Sequence, residues 1–200
     1  MDRLDVRRAW EAVSETYAER RDPGGSDAGL IDDLLADLPA NPLVLDVGCG
    51  DGARTLANLP PGSLGLDAAR AGLDLATGTV PAARLVQADM AAIPIESDAV
   101  DAITAYHAVF HVPREEHAAV YREFARVLRP GGRLLMTLPG GRFETVRRGW
   151  MGGSMLFSAP GREATLKALR AAGFGDCRTE TVEDPLGSQS GFVLARLDRG

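Results

Sequence analysis

Two hundred residues, 45% hydrophobic and 25% charged, fit one domain with a full-sized core and an ordinary globular composition. A net charge of -6 and a pI near 5.1 give no general field for a phosphate backbone or an anionic membrane, so no nucleic acid and no membrane partner is expected. No apolar run approaches the roughly 18 residues of a membrane span, and the start does not read as a signal peptide, so a cytoplasmic setting is expected.

Val6, Trp10, Val13 and Tyr17 recur at spacings of four, three and four, which places them on one face of a first helix that packs on the domain. Asp22-Pro23-Gly24-Gly25 breaks it, and Ser26 is suited to cap a second helix. Leu30, Ile31, Leu34, Leu35 and Leu38 make the apolar face of that helix, and Pro39 and Pro42 stop it.

The most informative stretch is Leu43 to Gly52, LVLDVGCGDG. Leu43, Val44, Leu45 and Val47 read as a buried strand, and Gly48, Gly50 and Gly52 allow a sharp turn with backbone N–H groups open to a ligand. A helix from Ala53 to Leu59 is expected to aim its N-terminus at that ligand, and Pro60-Pro61-Gly62 ends it. Strand, turn and helix form the nucleotide-binding half of a doubly wound sheet. Gly48 to Ala53 also satisfies the dinucleotide pattern, but Asp46 and Asp51 would oppose a diphosphate and suit a ligand with positive charge nearby. Cys49 and Cys177 stand far apart, Cys49 as a small packing residue in the turn, and no disulfide is expected.

This stretch resembles the first motif of class I S-adenosylmethionine-dependent methyltransferases. The resemblance implies a Rossmann-like α/β fold with a seven-stranded, mostly parallel sheet, helices on both faces, the last strand antiparallel and the N-terminal helices as a cap. It implies S-adenosylmethionine as cofactor, with Asp46, Gly48, Cys49 and Gly50 at its methionine end. Aromatic or basic residues on an N-terminal helix in that family suggest that Tyr17, with Arg20 or Arg21 after it, closes over the cofactor, beside the plainer reading of core packing. The rival readings are a binding protein without turnover and an NAD-dependent oxidoreductase.

Ser63 to Leu66 is a second strand ending at Asp67, 21 residues after Asp46. Asp67, followed by Ala68, is placed either to accept both ribose hydroxyls or to cap the helix Ala68 to Ala76. Arg84 to Ala88 is a third strand. It ends in Asp89-Met90, which the resemblance sets against the adenine amino group and the adenine face. A fourth strand, Val100 to Ala105, leads into Tyr106-His107-Ala108-Val109-Phe110-His111, where Tyr106 joins the cofactor wall and the chemistry is expected. His107 and His111 are candidates for the base that deprotonates a methyl acceptor, or are buried structural histidines. His117 is the only other histidine and no carboxylate completes a zinc-like cluster, so no metal is expected.

A helix from Arg114 to Arg129 opens with Pro113, Glu115 and Glu116. Arg129-Pro130-Gly131-Gly132 ends it before a fifth strand, Arg133 to Leu138. Residues 139–160 are rich in glycine yet carry Trp150, Met151, Met155, Leu156 and Phe157, and are expected to be an acceptor-site loop folded over the site, with Arg147 and Arg148 as a pull for anions. A helix from Arg162 to Ala172 and two strands, Gly175 to Val182 and Phe192 to Leu197, close the chain, separated by Glu183-Asp184-Pro185-Leu186-Gly187. The expected organisation is one domain over 1–200, with a helical cap at 1–39, a cofactor core at 43–138 and a C-terminal part at 161–197. The partner is a small-molecule acceptor and the protein a monomer or homodimer. The acceptor atom, O, N, S or C, is not legible.

Overall fold

The computed structural model describes residues 1–22, 24–25, 28–183 and 189–198. The expected roles of Pro23, Ser26 and Asp184 to Gly187 lie outside the described residues. The elements are α1 (Arg3–Arg20), α2 (Ala28–Ala36), β1 (Val44–Val47), β2 (Leu64–Asp67), α3 (Arg70–Thr79), β3 (Arg84–Gln87), β4 (Val100–Ala105), α4 (His117–Val127), β5 (Leu128–Thr137), β6 (Arg142–Trp150), β7 (Gly153–Pro160), α5 (Arg162–Ala171), β8 (Phe174–Glu183) and β9 (Gln189–Leu197).

Seven strands form one sheet in the order β3-β2-β1-β4-β5-β9-β8. The pairs from β3 to β5 are parallel, and β9 runs antiparallel between β5 and β8. All four residues of β1 are buried because helices cover both faces. Leu45 and Val47 join Ile103, Phe124, Leu134 and Phe174 in one core. Val44 joins Leu30, Ile31, Leu34, Leu73, Ala102, Leu135 and Phe192 in the other. The alternation of β1 thus decides which core each side chain enters. Of the two N-terminal helices, α2 packs on the sheet face, whereas α1 reaches the hairpin through Val6, Val13, Met155 and Leu156. Among the described residues no helix is long and apolar enough to cross a membrane.

Three expectations are corrected. No α-helix spans Ala53 to Leu59; only a 3₁₀ turn, Leu56–Asn58, forms there. Seven residues before a double proline are too few for the costly helix nucleus. The α4 helix begins at His117 after a 3₁₀ turn at Arg114–Glu116 and ends at Val127, because Leu128 already pairs with Val100 as strand. Residues 139–160 do not form an irregular loop: β6 and β7 make their own two-stranded antiparallel sheet. Its connection is Met151-Gly152, with φ of 50° and 87°, the left-handed pair that a two-residue hairpin needs.

Candidate active site

The parallel strands β1 to β4 end along one edge, and the turns that follow them wall a cavity of about 120 Å³, partly open to solvent. This is the crevice where open α/β sheets hold ligands. After β1 the chain turns through Gly48 and Gly50, both left-handed. A Cβ on Gly48 would overlap that of Ala108, so the turn lies directly against the loop after β4. A Cβ on Gly50 would meet nothing within 4 Å: that backbone faces open space that a ligand can fill.

Asp46 lies beneath the turn, 1% exposed, and does not line the cavity. Its two oxygens accept the hydroxyls of Thr104 at 2.7 Å and Thr55 at 2.8 Å. Burial raises its pKa to about 6 against those two hydrogen bonds. Asp51 does line the cavity, but Arg21 donates to it at 2.5 Å. The carboxylates that set the turn apart from a phosphate site therefore brace the turn and anchor α1; neither stands as an unpaired charge in the cavity.

The other expected cofactor residues, Gly48, Cys49, Gly50, Asp67, Ala68, Asp89, Met90, Tyr106, Tyr17 and Arg21, all line the cavity, as do His107 and His111. Asp67 serves two backbone donors, Gly50 N–H at 2.9 Å and Ala69 N–H at 2.8 Å, one on each oxygen. Each oxygen keeps a lone pair for a ligand hydroxyl. Burial raises the Asp67 pKa, against those backbone hydrogen bonds. Asp89 accepts from Ala91 N–H at 2.8 Å and from Arg3 at 2.6 Å.

Helix α1 crosses over the cavity and contributes Arg3, Val6, Arg7, Trp10, Ser14 and Tyr17, which fall on one helical face. Reading only the apolar residues of this helix picks Val6, Trp10 and Tyr17 and passes over Arg3, Arg7 and Ser14. Nothing local marks Thr55 as the partner of Asp46 either. Beside Tyr17, whose hydroxyl pKa burial raises, Arg21 Nε is buried with no hydrogen-bond partner.

His111 is 6% exposed, and its Nδ1 lies 2.8 Å from the carbonyl oxygen of Leu156. A carbonyl only accepts, so Nδ1 carries the proton and Nε2 keeps its lone pair. Burial lowers the pKa of this ring to about 4. His107 adopts φ 52° and donates its backbone N–H to Thr137 Oγ1 at 2.8 Å. His117 stands apart, within hydrogen-bond reach of Val112 O and Ser158 Oγ. No residue of the β6-β7 hairpin lines the cavity. Trp150 and Phe157 instead stand behind its roof, with ring centres 5.4 Å from Trp10 and 4.8 Å from His111 respectively.

Residues 45–136, which hold the glycine turn and the ends of β1 to β4, match the family model described as "Methyltransferase domain". Together with the fold, this match and the methyltransferases among the relatives support a class I S-adenosylmethionine-dependent methyltransferase. The chain is 38% identical over 107 residues to "Methyltransferase GfsG" of Streptomyces halstedii, covering 49% of this chain and 38% of that one. It is 33% identical over 137 residues to a tRNA (carboxymethyluridine(34)-5-O)-methyltransferase of Xenopus tropicalis, covering 68% of this chain and 21% of the relative. The chain thus spans well under half the length of these curated relatives. The crystal structure of the 4+2 cyclase SpnF superposes with a TM-score of 0.75 at 19% identity, over 100% of this chain and 97% of that one. That likeness concerns the fold alone.

The residues present fit the family's cofactor. Gly50 opens a cradle that a side chain would fill, and Arg21 Nε is an orphaned donor in the same wall. Asp67 has acceptor capacity left, and Met90 and Tyr106 give apolar surface.

Proposed function

We propose that this chain, as a cytoplasmic monomer or homodimer, transfers the methyl group of S-adenosylmethionine to a small-molecule acceptor. The observation that carries this reading is the convergence of Gly50, Asp67, Asp89 and the α1 roof on one cavity at the carboxyl ends of the parallel strands. When bound, the cofactor supplies an electrophilic methyl on a sulfonium. The residues around it then have four tasks: Asp67 accepts ribose hydroxyls, Asp89 accepts the adenine amino group, Met90 lines the adenine face, and Arg21 takes the methionine carboxylate. Trp10 and Tyr17 exclude water from above, and alignment of this kind supplies on the order of 7 to 11 kcal/mol of a transfer barrier. His107 is the candidate base. His111, neutral with a lone pair on Nε2, serves to orient an acceptor rather than to take its proton.

Calorimetry with S-adenosylhomocysteine and with NAD tests the cofactor, and a methyl-transfer assay over small-molecule pools tests turnover. Binding of NAD in preference to S-adenosylhomocysteine would overturn the reading. Bulk tRNA is the second acceptor to assay, because one relative is named for a tRNA substrate. The net charge of -6 argues against it.

A further inference from the structure

Helix α3 opens without a side-chain cap of its own, since Ala69 stands at its N-cap position. Its first two N–H groups are instead taken by the carboxylate of Glu11 from α1, 59 and 60 residues away: Arg70 N–H donates at 2.8 Å and Ala71 N–H at 2.9 Å. Orphan N–H groups at a helix start need such acceptors, and the helix dipole strengthens the attraction for an anion there. The contact lies midway along a roof that is tied at both ends. At one end Arg3 bridges Asp89 and Glu116, each at 2.6 Å, and at the other Arg21 pairs with Asp51. The two end ties are made by cavity residues, Asp89 and Asp51, whereas Glu11 is outside the cavity wall. Glu11 thus holds the helix that carries Trp10 and Tyr17 without touching the space a ligand would fill. At Gly72 the same α3 start comes so close to the glycine turn that a Cβ there would lie 3.2 Å from Gly50 Cα. Roof, α3 and turn are one packed unit.

We infer that Glu11 is the latch that keeps α1 closed over the cofactor site, a positioning residue that acts through the N-terminus of α3. This inference rests on the cofactor reading above. A ligand under a roof leaves only as often as the roof opens, so a variant that opens more often releases its ligand faster by the same factor.

The test uses the whole chain as wild type, Glu11→Ala and Glu11→Gln, with hydrogen exchange of ligand-free protein and the dissociation rate of S-adenosylhomocysteine. In Glu11→Ala the amides of α1 should exchange roughly tenfold or more faster while those of α4 and β4 keep the wild-type rate, and dissociation should quicken by a similar factor. Glu11→Gln, with one acceptor oxygen for two N–H groups, should fall between. Unchanged α1 exchange and unchanged dissociation in both variants would overturn the latch. A uniform rise in exchange across the whole chain would also overturn it, since Glu11 would then be a stabilising cap and nothing more. Failure of the wild type to bind S-adenosylhomocysteine would overturn the cofactor reading instead, while the ligand-free exchange would still decide whether Glu11 holds the roof.

Discussion

Asp67 Oδ2 accepts the backbone N–H of Gly50 at 2.9 Å, which ties the end of β2 to the turn that follows β1. The same carboxylate holds Ala69 N–H through its other oxygen, which fixes the turn ahead of α3 but does not cap that helix, since α3 begins at Arg70 and its first N–H groups go to Glu11. Asp67→Ala should therefore lose both stability and affinity. The expected cost is a lower melting temperature and a tenfold to few-hundredfold weaker binding of S-adenosylhomocysteine, on the order of one or two charged hydrogen bonds. Asp67→Asn keeps one acceptor and should lose less of each. Melting curves with and without ligand separate the two effects, and a ligand-induced shift of wild-type size in Asp67→Ala would refute the ribose role.

Gly50 and Gly48 should respond in opposite ways to a side chain. Both sit at positive φ, which costs a non-glycine residue roughly 1 kcal/mol. Gly50→Val places its side chain in open cavity, so the protein should fold with modest loss and bind S-adenosylhomocysteine poorly. Gly48→Ala drives a methyl into Ala108 and should cost stability first. Denaturant melts beside calorimetry check the pair; wild-type affinity in folded Gly50→Val would count against a ligand at this turn.

The buried carboxyl of Asp46 should make stability depend on pH with an unusual sign. Its folded pKa of about 6 lies above the unfolded value, so the folded state binds the proton more tightly. Its contribution is most favourable below about pH 4 and is lost as pH rises through 6, by about 3 kcal/mol in all. Asp46→Asn cannot titrate. The stability of this variant relative to wild type should accordingly rise between pH 4 and pH 7, as urea melts at several pH values would reveal. A flat or falling difference would show that the carboxyl is ionised in the folded protein throughout.

His111 should titrate in the other direction. Burial puts its folded pKa at about 4, below the unfolded value near 6.5, so the stability it contributes is fully present above pH 6.5 and is lost as pH falls through 4. Imidazole nitrogen shifts in an NMR titration should find the ring neutral and protonated on Nδ1 from pH 8 down to about 5. By the same token, a rise in methyl-transfer rate centred near pH 6.5 should survive in His111→Asn and belong to another group. A His111 midpoint near 6.5 would restore it as a base candidate.

The features legible in the sequence are those with a local cause. Three glycines after an apolar run require a turn at Gly48 to Gly52. Acids at the ends of β2 and β3 must share one edge, because parallel strands joined by crossovers all finish on the same side. Hence Asp67, Asp89 and the loop after β4 could be assigned to one site from their order alone. The hairpin at 142–160 had a local signal too, in Met151-Gly152-Gly153, but its many glycines mimic an irregular loop.

What the tertiary structure alone decided is which partner each charged group meets and how much water it keeps. Asp46 meets Thr104 from 58 residues away and drops out of the cavity, Arg3 reaches Asp89 across 86 residues, and Glu11 caps a helix that begins 59 residues later. His111 ceases to be an ordinary imidazole because Trp10 of α1 and Leu156 and Phe157 of β7, two distant segments, enclose it. Desolvation and charge pairing depend on distance in space, and no spacing along the chain encodes them.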